Sequence, residues 1–148
     1  WIVPGFDDKA WSPFKLATQG TGYGHANLRI SFKLPADFPK SGIVLDAGTM
    51  DDFDECYING TLVGSVTPVN HDPETAWSQR RIYPVPSKLL KPGGDNMLAI
   101  RLWNRNAETK GWKTSIRGPL IIGTTGNKTP YYTGSYRHAD DPYLQFHW

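Results

Sequence analysis

The dipeptide Asn59-Gly60 is the feature of this sequence that most restricts its fold. Asn and Gly tolerate the two positive φ angles of a type I′ turn, which joins two antiparallel strands through only two residues. Tyr57-Ile58 before the turn and Leu62-Val63 after it are apolar or aromatic, as the residues of paired strands commonly are. The segment from Glu55 to Gly64 is therefore predicted to be a β-hairpin.

Alternation of apolar and polar residues predicts further strands. Between Leu28 and Leu34 every second residue is apolar, which is the period of a half-buried strand. Residues 97–103 repeat this period, with aliphatic side chains toward the core and with Arg101 and Trp103 on the opposite face. Shorter extended segments are expected at 43–47, 82–85 and 120–122.

Length and composition favour one all-β domain. The chain has 148 residues, of which 15 are Gly and 12 are Pro, and no stretch shows the period of a long helix. Short strands joined by tight turns indicate an antiparallel β-sandwich. We predict a single domain over residues 1–148, in which the aromatic segment 124–148 is either a closing strand or a strap to a neighbouring domain.

Charge and motifs exclude several function classes. The 16 basic and 14 acidic residues are mixed along the chain, so no basic stripe for nucleic acid is present, and no apolar run is long enough to span a bilayer. The single cysteine, Cys56, excludes an internal disulfide and is expected to be a small buried residue. Signatures of metalloproteases, serine hydrolases, phosphate-binding loops and zinc sites are missing, so we predict that the chain is not an enzyme.

Three segments together resemble a known module. They are Phe32-Lys33-Leu34-Pro35, the acidic run 51–55 leading into the hairpin turn, and residues 91–101. They are similar to the galactose-binding-domain-like jelly roll, as found in the sugar-binding domain of family 2 glycoside hydrolases and in the β-sandwich of sialate O-acetylesterase-like enzymes. The resemblance implies a jelly-roll sandwich, a scaffold that hosts both ligand-binding modules and purely architectural domains.

The acidic run contains Asp51, Asp52, Asp54 and Glu55. A glycosidase needs two carboxyl groups on opposite sides of a sugar, roughly 5 to 9.5 Å apart, whereas these four lie within five residues of one turn. The spacing suits a turn that caps backbone N–H groups, a structural calcium site, or direct contact with sugar hydroxyls. Asp51, Asp54 and Glu55 are the candidate calcium ligands, Asp52 is a candidate sugar contact, and no other cofactor is expected.

Sugar recognition requires an aromatic plane against the C–H face of a pyranose, with planar polar groups placed for its hydroxyls. Two loops, residues 70–81 and 103–113, meet this description, while Trp103 itself is expected to pack near the core. One of the adjacent Arg80 and Arg81 is expected to be structural, because neighbouring strand residues point to opposite faces. The candidate ligand-binding residues in and beyond these loops are Trp77, Arg80, Arg81, Asn104, Arg105, Trp112 and Tyr23.

Two functions remain open. The first is a non-catalytic carbohydrate-binding module of a polysaccharide-degrading enzyme, which holds a catalytic domain of the same polypeptide near its glycan substrate. The second is an architectural sandwich of a glycoside hydrolase or carbohydrate esterase that binds no sugar. Exposure of Trp77 and Trp112 in a shared groove would favour the first. The resemblance also implies a secreted or cell-surface protein of bacterial origin.

Overall fold

The structure is a computed structural model that describes residues 1–12, 24–105, 116–117 and 120–125. This part of the chain contains β-strands, two 3-10 helices (Ala76–Ser78 and Ser87–Leu89) and no α-helix, so the predicted all-β class is confirmed. No helix in these residues is long and apolar enough to cross a membrane. The strands are β1 (Gly24–Lys33), β2 (Ile43–Met50), β3 (Phe53–Ile58), β4 (Thr61–Val66), β5 (Arg80–Pro84), β6 (Asp95–Asn104), β7 (Ile116–Arg117) and β8 (Ile121–Thr124).

The strands form two antiparallel sheets. Sheet I has the order β1-β6-β3-β4. In sheet II, β2 lies between β5 on one side and both β7 and β8 on the other, with β8 beside residues 43–46 and β7 beside Thr49 and Met50. The predicted antiparallel β-sandwich is thus confirmed, while the prediction for the tail concerns residues that lie almost entirely outside the described ranges.

The core fills the space between the two sheets. Alternate residues of β1 and β6 point inward, as their sequence period predicted, and meet the inward side chains of β2 and β8. Cys56 is fully buried among them, which confirms its expected role. The central side chains are Leu28, Ile30, Leu45, Ala47, Cys56, Ile58, Leu98, Ile100, Leu102 and Ile122.

The predicted hairpin joins β3 and β4. Asn59 and Gly60 have φ angles of 49° and 91°, the positive values that a type I′ turn requires. The Asn59 side chain also ties the turn to β6, because its Oδ1 accepts a hydrogen bond from the backbone N–H of Met97 at 2.9 Å. Its Nδ2 donates to the carbonyl oxygen of Leu89 at 2.7 Å. Asn59 therefore serves both the local turn and a contact more than 30 residues away.

The outer face of sheet I is partly covered by residues 1–12, the N-terminal segment. Arg29 of β1 holds this segment, because its Nε donates to Asp8 Oδ2 at 2.6 Å and its Nη1 donates to the carbonyl oxygens of Trp1 and Val3. The Arg29 side chain is buried by these contacts. The buried guanidinium of Arg29 thus attaches the N-terminal segment to sheet I by side-chain hydrogen bonds instead of strand pairing.

The two sheets approach each other closely where edge strand β4 lies beside edge strand β5. The ring of Tyr83 packs directly on Gly64, so that a Cβ atom at position 64 would lie 2.0 Å from Tyr83 Cδ1. That separation is far below van der Waals contact. Glycine at position 64 is therefore a steric requirement of this edge of the sandwich.

Candidate functional site

The four carboxylates of the acidic run point in different directions. Each one pairs with a different arginine. Asp54 and Glu55 are successive residues of β3 and so face opposite sides of sheet I, whereas Asp51 and Asp52 precede the strand. The N···O distances are 3.7 Å for Asp51–Arg117, 3.5 Å for Asp52–Arg105, 2.6 Å for Asp54–Arg81 and 3.2 Å for Glu55–Arg101. The described residues contain no cluster of metal-ligating side chains, and calcium binding by Asp51, Asp54 and Glu55 stays a prediction.

Arg81 and Asp54 form an ion pair whose two side chains are fully buried. The Arg81 guanidinium also donates hydrogen bonds to the carbonyl oxygens of Ala76 at 2.6 Å and Asp52 at 2.7 Å. Tyr83 Oη donates to the second carboxylate oxygen of Asp54 at 2.8 Å. Arg81 therefore has the structural role that the sequence left open for one of the two arginines. Its side chain is buried, and a ligand contact by Arg81 stays a prediction.

Burial raises the pKa values of Tyr83 and Asp54. The low dielectric around the Tyr83 hydroxyl and the nearby negative charge of Asp54 hold the pKa of Tyr83 well above its ordinary value. Burial also raises the pKa of Asp54, although the guanidinium of Arg81 opposes that change. The tyrosine thus stays a hydrogen-bond donor to the carboxylate over the whole physiological pH range.

Asp52 and Arg105 connect the end of β6 to the loop that follows β4. Asp52 is buried, and its Oδ2 accepts a hydrogen bond from the backbone N–H of Arg105 at 2.9 Å. Arg105 Nη2 in turn donates to the carbonyl oxygen of Pro73 at 2.6 Å. Asn104 is also buried, at the end of β6. Asp52 therefore supports the loop through Arg105, which remains partly accessible. Ligand contacts by Asp52, Asn104 and Arg105 stay predictions.

Trp77 is held rigidly and is nevertheless exposed. It lies in the 3-10 helix Ala76–Ser78, where Ala76 is buried and the next side chain points outward, leaving Trp77 41% exposed. Its indole Nε1–H donates to the carbonyl oxygen of Glu74 at 3.1 Å. The guanidinium carbon of Arg117 lies 5.6 Å from the centre of the indole ring. The indole is thereby fixed in one orientation at the surface.

Arg80 and Arg117 lie on either side of Thr49 on the outer face of sheet II. Thr49 pairs with Arg80 of β5 and with Arg117 of β7, and directly paired residues share a face of the sheet. Arg80 Nη2 lies 2.5 Å from Asp46 Oδ2. We define the Trp77 surface as Trp77, Arg80, Arg117, Thr49, Asp46 and Asp51. It combines an exposed aromatic plane with guanidinium, carboxylate and hydroxyl groups, the set that sugar recognition requires.

Sequence reasoning found part of this surface. It selected Trp77 and Arg80, but it missed Arg117 and Asp46. Arg117 belongs to a strand of two residues, and its only sequence signal is that buried Ile116 precedes it, which is too short an alternation to indicate a strand. Trp112 and Tyr23 lie outside the described residues, so the shared groove of Trp77 and Trp112 stays a prediction.

Comparison with known proteins gives the chain a family context. Residues 1–108 match the family model described as the beta-galactosidase second all-beta domain. The probable beta-galactosidase B of Aspergillus niger is 23% identical over 141 residues, which are 87% of this chain and 13% of that protein. The probable beta-galactosidase B of Talaromyces marneffei is 29% identical over 109 residues, 70% of this chain and 10% of that protein. The chain therefore spans about a tenth of the length of these curated relatives.

Among solved structures, the β-glucuronidase of Ruminococcus gnavus is similar with a TM-score of 0.47 and 22% identity, over 56% of this chain and 13% of that one. Both curated relatives named above are fungal, so the expected bacterial source stays a prediction, as does the carbohydrate-esterase setting. The family match confirms the prediction of a non-catalytic accessory domain of the kind that glycoside hydrolases carry. Since the matched residues are well over half of the sequence, the chain belongs to the family of the beta-galactosidase second all-beta domain.

Proposed function

We propose that this chain is a carbohydrate-binding accessory domain of a multidomain glycoside hydrolase of the β-galactosidase type, and that it contacts sugar through the Trp77 surface. The observation that carries the proposal is the exposed indole of Trp77, fixed by the hydrogen bond to Glu74 and by the guanidinium of Arg117. A group that is already ordered loses little conformational entropy when a ligand binds. Such rigidity serves binding, whereas an indole needed only for packing would be buried.

The chemistry of the surface fits a neutral glycan. The C–H face of a pyranose stacks on the indole, the guanidinium groups of Arg80 and Arg117 donate to ring hydroxyls, and the carboxylates of Asp46 and Asp51 accept from them. Each guanidinium is already paired with a carboxylate, at 2.5 Å for Arg80–Asp46 and 3.7 Å for Arg117–Asp51. The surface therefore carries balanced charge and has no excess of positive charge to select an acidic polysaccharide.

Binding of this kind raises the concentration of a linked catalytic domain at its substrate without any new contact in the active site. The catalytic domain of the same polypeptide and the glycan are thus the two partners that we propose. A protein that acts on polysaccharides outside the cell is secreted or displayed on the cell surface, and we extend that localisation to this chain.

Affinity electrophoresis of the 148-residue chain through gels containing galactan, galactomannan or xylan tests the proposal. We expect retardation by at least one galactose-containing polysaccharide, and we expect the Trp77→Ala variant to lose most of it, because the stacking plane is gone. Val69→Ala, which alters a side chain that is 96% exposed on the same loop, is the matched control and is expected to migrate like the native chain. Equal migration of the native chain with and without every polysaccharide would refute the proposal.

The architectural alternative has its own supporting observation. Leu62 on β4 and Ile82 on β5 are each about half exposed, although both are large aliphatic residues on neighbouring edges of the two sheets. Exposed aliphatic side chains of this kind suit packing against another domain. If this function is the true one, Leu62→Ser and Ile82→Ser shorten the thermal half-life of the full-length enzyme while no polysaccharide retards the domain.

A further inference from the structure

A small pocket lies on the outer face of sheet I, and none of its lining residues belongs to the Trp77 surface. Its volume is about 130 Å³. It is formed where β1, β6 and β3 run side by side and where the chain leaves β4. Its lining consists of His25, Phe53, Asp54, Glu55, Arg101 and Trp103, together with residues 66–68.

The aromatic wall of the pocket follows from strand register. Trp103 of β6 is paired with His25 of β1 on one side and with Phe53 of β3 on the other. The imidazole of His25 stacks on the indole with ring centres 5.5 Å apart and planes inclined by 17°, and the ring of Phe53 lies 5.2 Å away. Three aromatic rings are thus packed in a row, so the two faces of the central indole are covered and the wall presents ring edges to the pocket.

The polar side of the pocket has hydrogen-bonding capacity that the fold does not use. Glu55 Oε2 accepts hydrogen bonds from Tyr57 Oη at 2.7 Å and from Arg101 Nη1 at 3.2 Å. Among the described residues, no hydrogen-bond partner lies on Glu55 Oε1, on the remaining nitrogens of Arg101, on the His25 imidazole or on the indole N–H of Trp103. The Arg101 guanidinium also lies over the ring of Trp1, at 5.6 Å from its centre. The pocket therefore contains one hydrogen-bond acceptor and several donors that the fold itself does not use.

We propose that this pocket binds a single neutral hexose unit. Its volume is below the roughly 300 to 1,000 Å³ of sites that enclose drug-sized ligands, so it suits one ring and not an oligosaccharide. The ring edges of the wall, with Val66 and Pro68, contact the C–H groups of the sugar. Glu55, Arg101 and His25 meet its hydroxyls. Because Glu55 balances Arg101, the pocket gives a sugar carboxylate no unpaired cation, which disfavours uronic acids.

An NMR titration of the ¹⁵N-labelled 148-residue chain tests this proposal, with D-galactose, D-glucose and D-glucuronate as separate probes. We expect a saturable shift of the Trp103 indole N–H and of the His25 and Glu55 amides with at least one of the two neutral hexoses, and weaker shifts with glucuronate. His25→Ala and Arg101→Gln, both at exposed positions, are each expected to raise Kd about tenfold, the effect of losing one hydrogen bond to the ligand.

Lys33→Ala, at an exposed position of β1 beyond the pocket, is the control and is expected to leave Kd unchanged. A well-dispersed amide spectrum verifies that each variant is folded. The proposal is overturned if neither hexose gives a saturable shift at Trp103, or if the shifts survive both pocket variants. Shifts confined to Trp77 would keep the proposed function and reject this site, and binding of p-cresol but neither hexose would instead indicate a pocket for an aromatic side chain of a partner protein.

Discussion

Arg80 and Arg81 are adjacent in sequence, yet their charges lie in opposite environments. Arg81 points inward and is enclosed with Asp54, whereas Arg80 points outward and pairs with Asp46 at the surface. A buried charge that loses its partner has no water to solvate it. The Arg80 side chain is 62% exposed, and an ion pair in contact with water contributes little to stability. The two positions therefore form a matched test of what burial does to an ion pair.

We expect Arg81→Met to lower the free energy of unfolding by about 3 to 5 kcal/mol, because it leaves the carboxylate of Asp54 uncompensated in the core. Arg80→Met is expected to lower it by less than about 1 kcal/mol. Urea unfolding followed by tryptophan fluorescence at pH 7 measures both values. Equal losses in the two variants would contradict the assignment of Arg81 to a structural role.

Tyr83 gives the domain a defined response to alkaline pH. Its pKa is raised in the folded state, so the folded protein keeps a proton that the unfolded chain loses above about pH 10. The stability that Tyr83 contributes is therefore complete below that pH and decreases as the pH rises further. We expect Tyr83→Phe to show a smaller loss of unfolding free energy between pH 8 and pH 11 than the native chain shows. An identical loss would mean that Tyr83 is not the responsible group.

At the residue level, the sequence predicted that one of the two arginines is buried and the other exposed, but it did not predict which one is buried. Alternation along a strand requires that one of Arg80 and Arg81 point inward. Which one does so depends on Asp54, 27 residues away, whose position follows from the pairing of three strands. The same limitation explains why Asp52 and Asn104 were expected at a ligand: a polar residue near a loop has no local signal that it is buried.

At the scale of elements, the contact between β4 and β5 depends on Gly64. A side chain at this position would overlap the ring of Tyr83, which cannot move away without breaking its hydrogen bond to Asp54. We expect Gly64→Ala to cost about 1 to 3 kcal/mol, the usual range for overpacking. Thermal unfolding monitored by circular dichroism measures the change.

Gly5→Ala is the control for that measurement, because nothing lies within 4 Å of a Cβ atom built at Gly5. It is expected to change the stability by less than about 0.5 kcal/mol, as other surface substitutions do. A Gly64→Ala variant as stable as the control would show that the ring of Tyr83 can repack.

Strands and turns that have a strong local sequence pattern were predictable. Segments whose structure depends on contacts with residues distant in sequence were not. The hairpin at Asn59-Gly60 and the alternating strands β1 and β6 agree with the sequence, because turn chemistry and a period of two act over neighbouring residues. Strand β7 contains two residues, and its pairing with Thr49 and Met50 of β2 has no counterpart in a local sequence pattern. The N-terminal segment likewise depends on Arg29, about 20 residues further along the chain.

For the molecule as a whole, Cys56 reports on the integrity of the sandwich. It lies between the two sheets with no exposed surface, and burial together with the charge of Asp54 raises the pKa of its thiol. Neither access nor a thiolate is available until the sheets separate. We expect Ellman's reagent at pH 8 to leave the native chain unlabelled over minutes and to label one thiol in urea.

The dependence of that labelling on urea is expected to follow the unfolding transition measured by fluorescence. Rapid labelling of one thiol without urea would show that the core opens locally around Cys56. Agreement between the two curves would indicate that the sandwich unfolds as one cooperative unit.

The four ion pairs of the acidic run restrict which substitutions relatives of this chain can tolerate. Within the short segment 51–55, every carboxylate is matched to an arginine that lies elsewhere in the chain, at positions 81, 101, 105 and 117. A substitution on one side of a pair leaves its partner without a counter-charge, most severely in the buried pair. In an alignment of relatives, the residues at positions 54 and 81 are therefore expected to change together. The two residues of each of the three more exposed pairs are expected to vary more independently of each other.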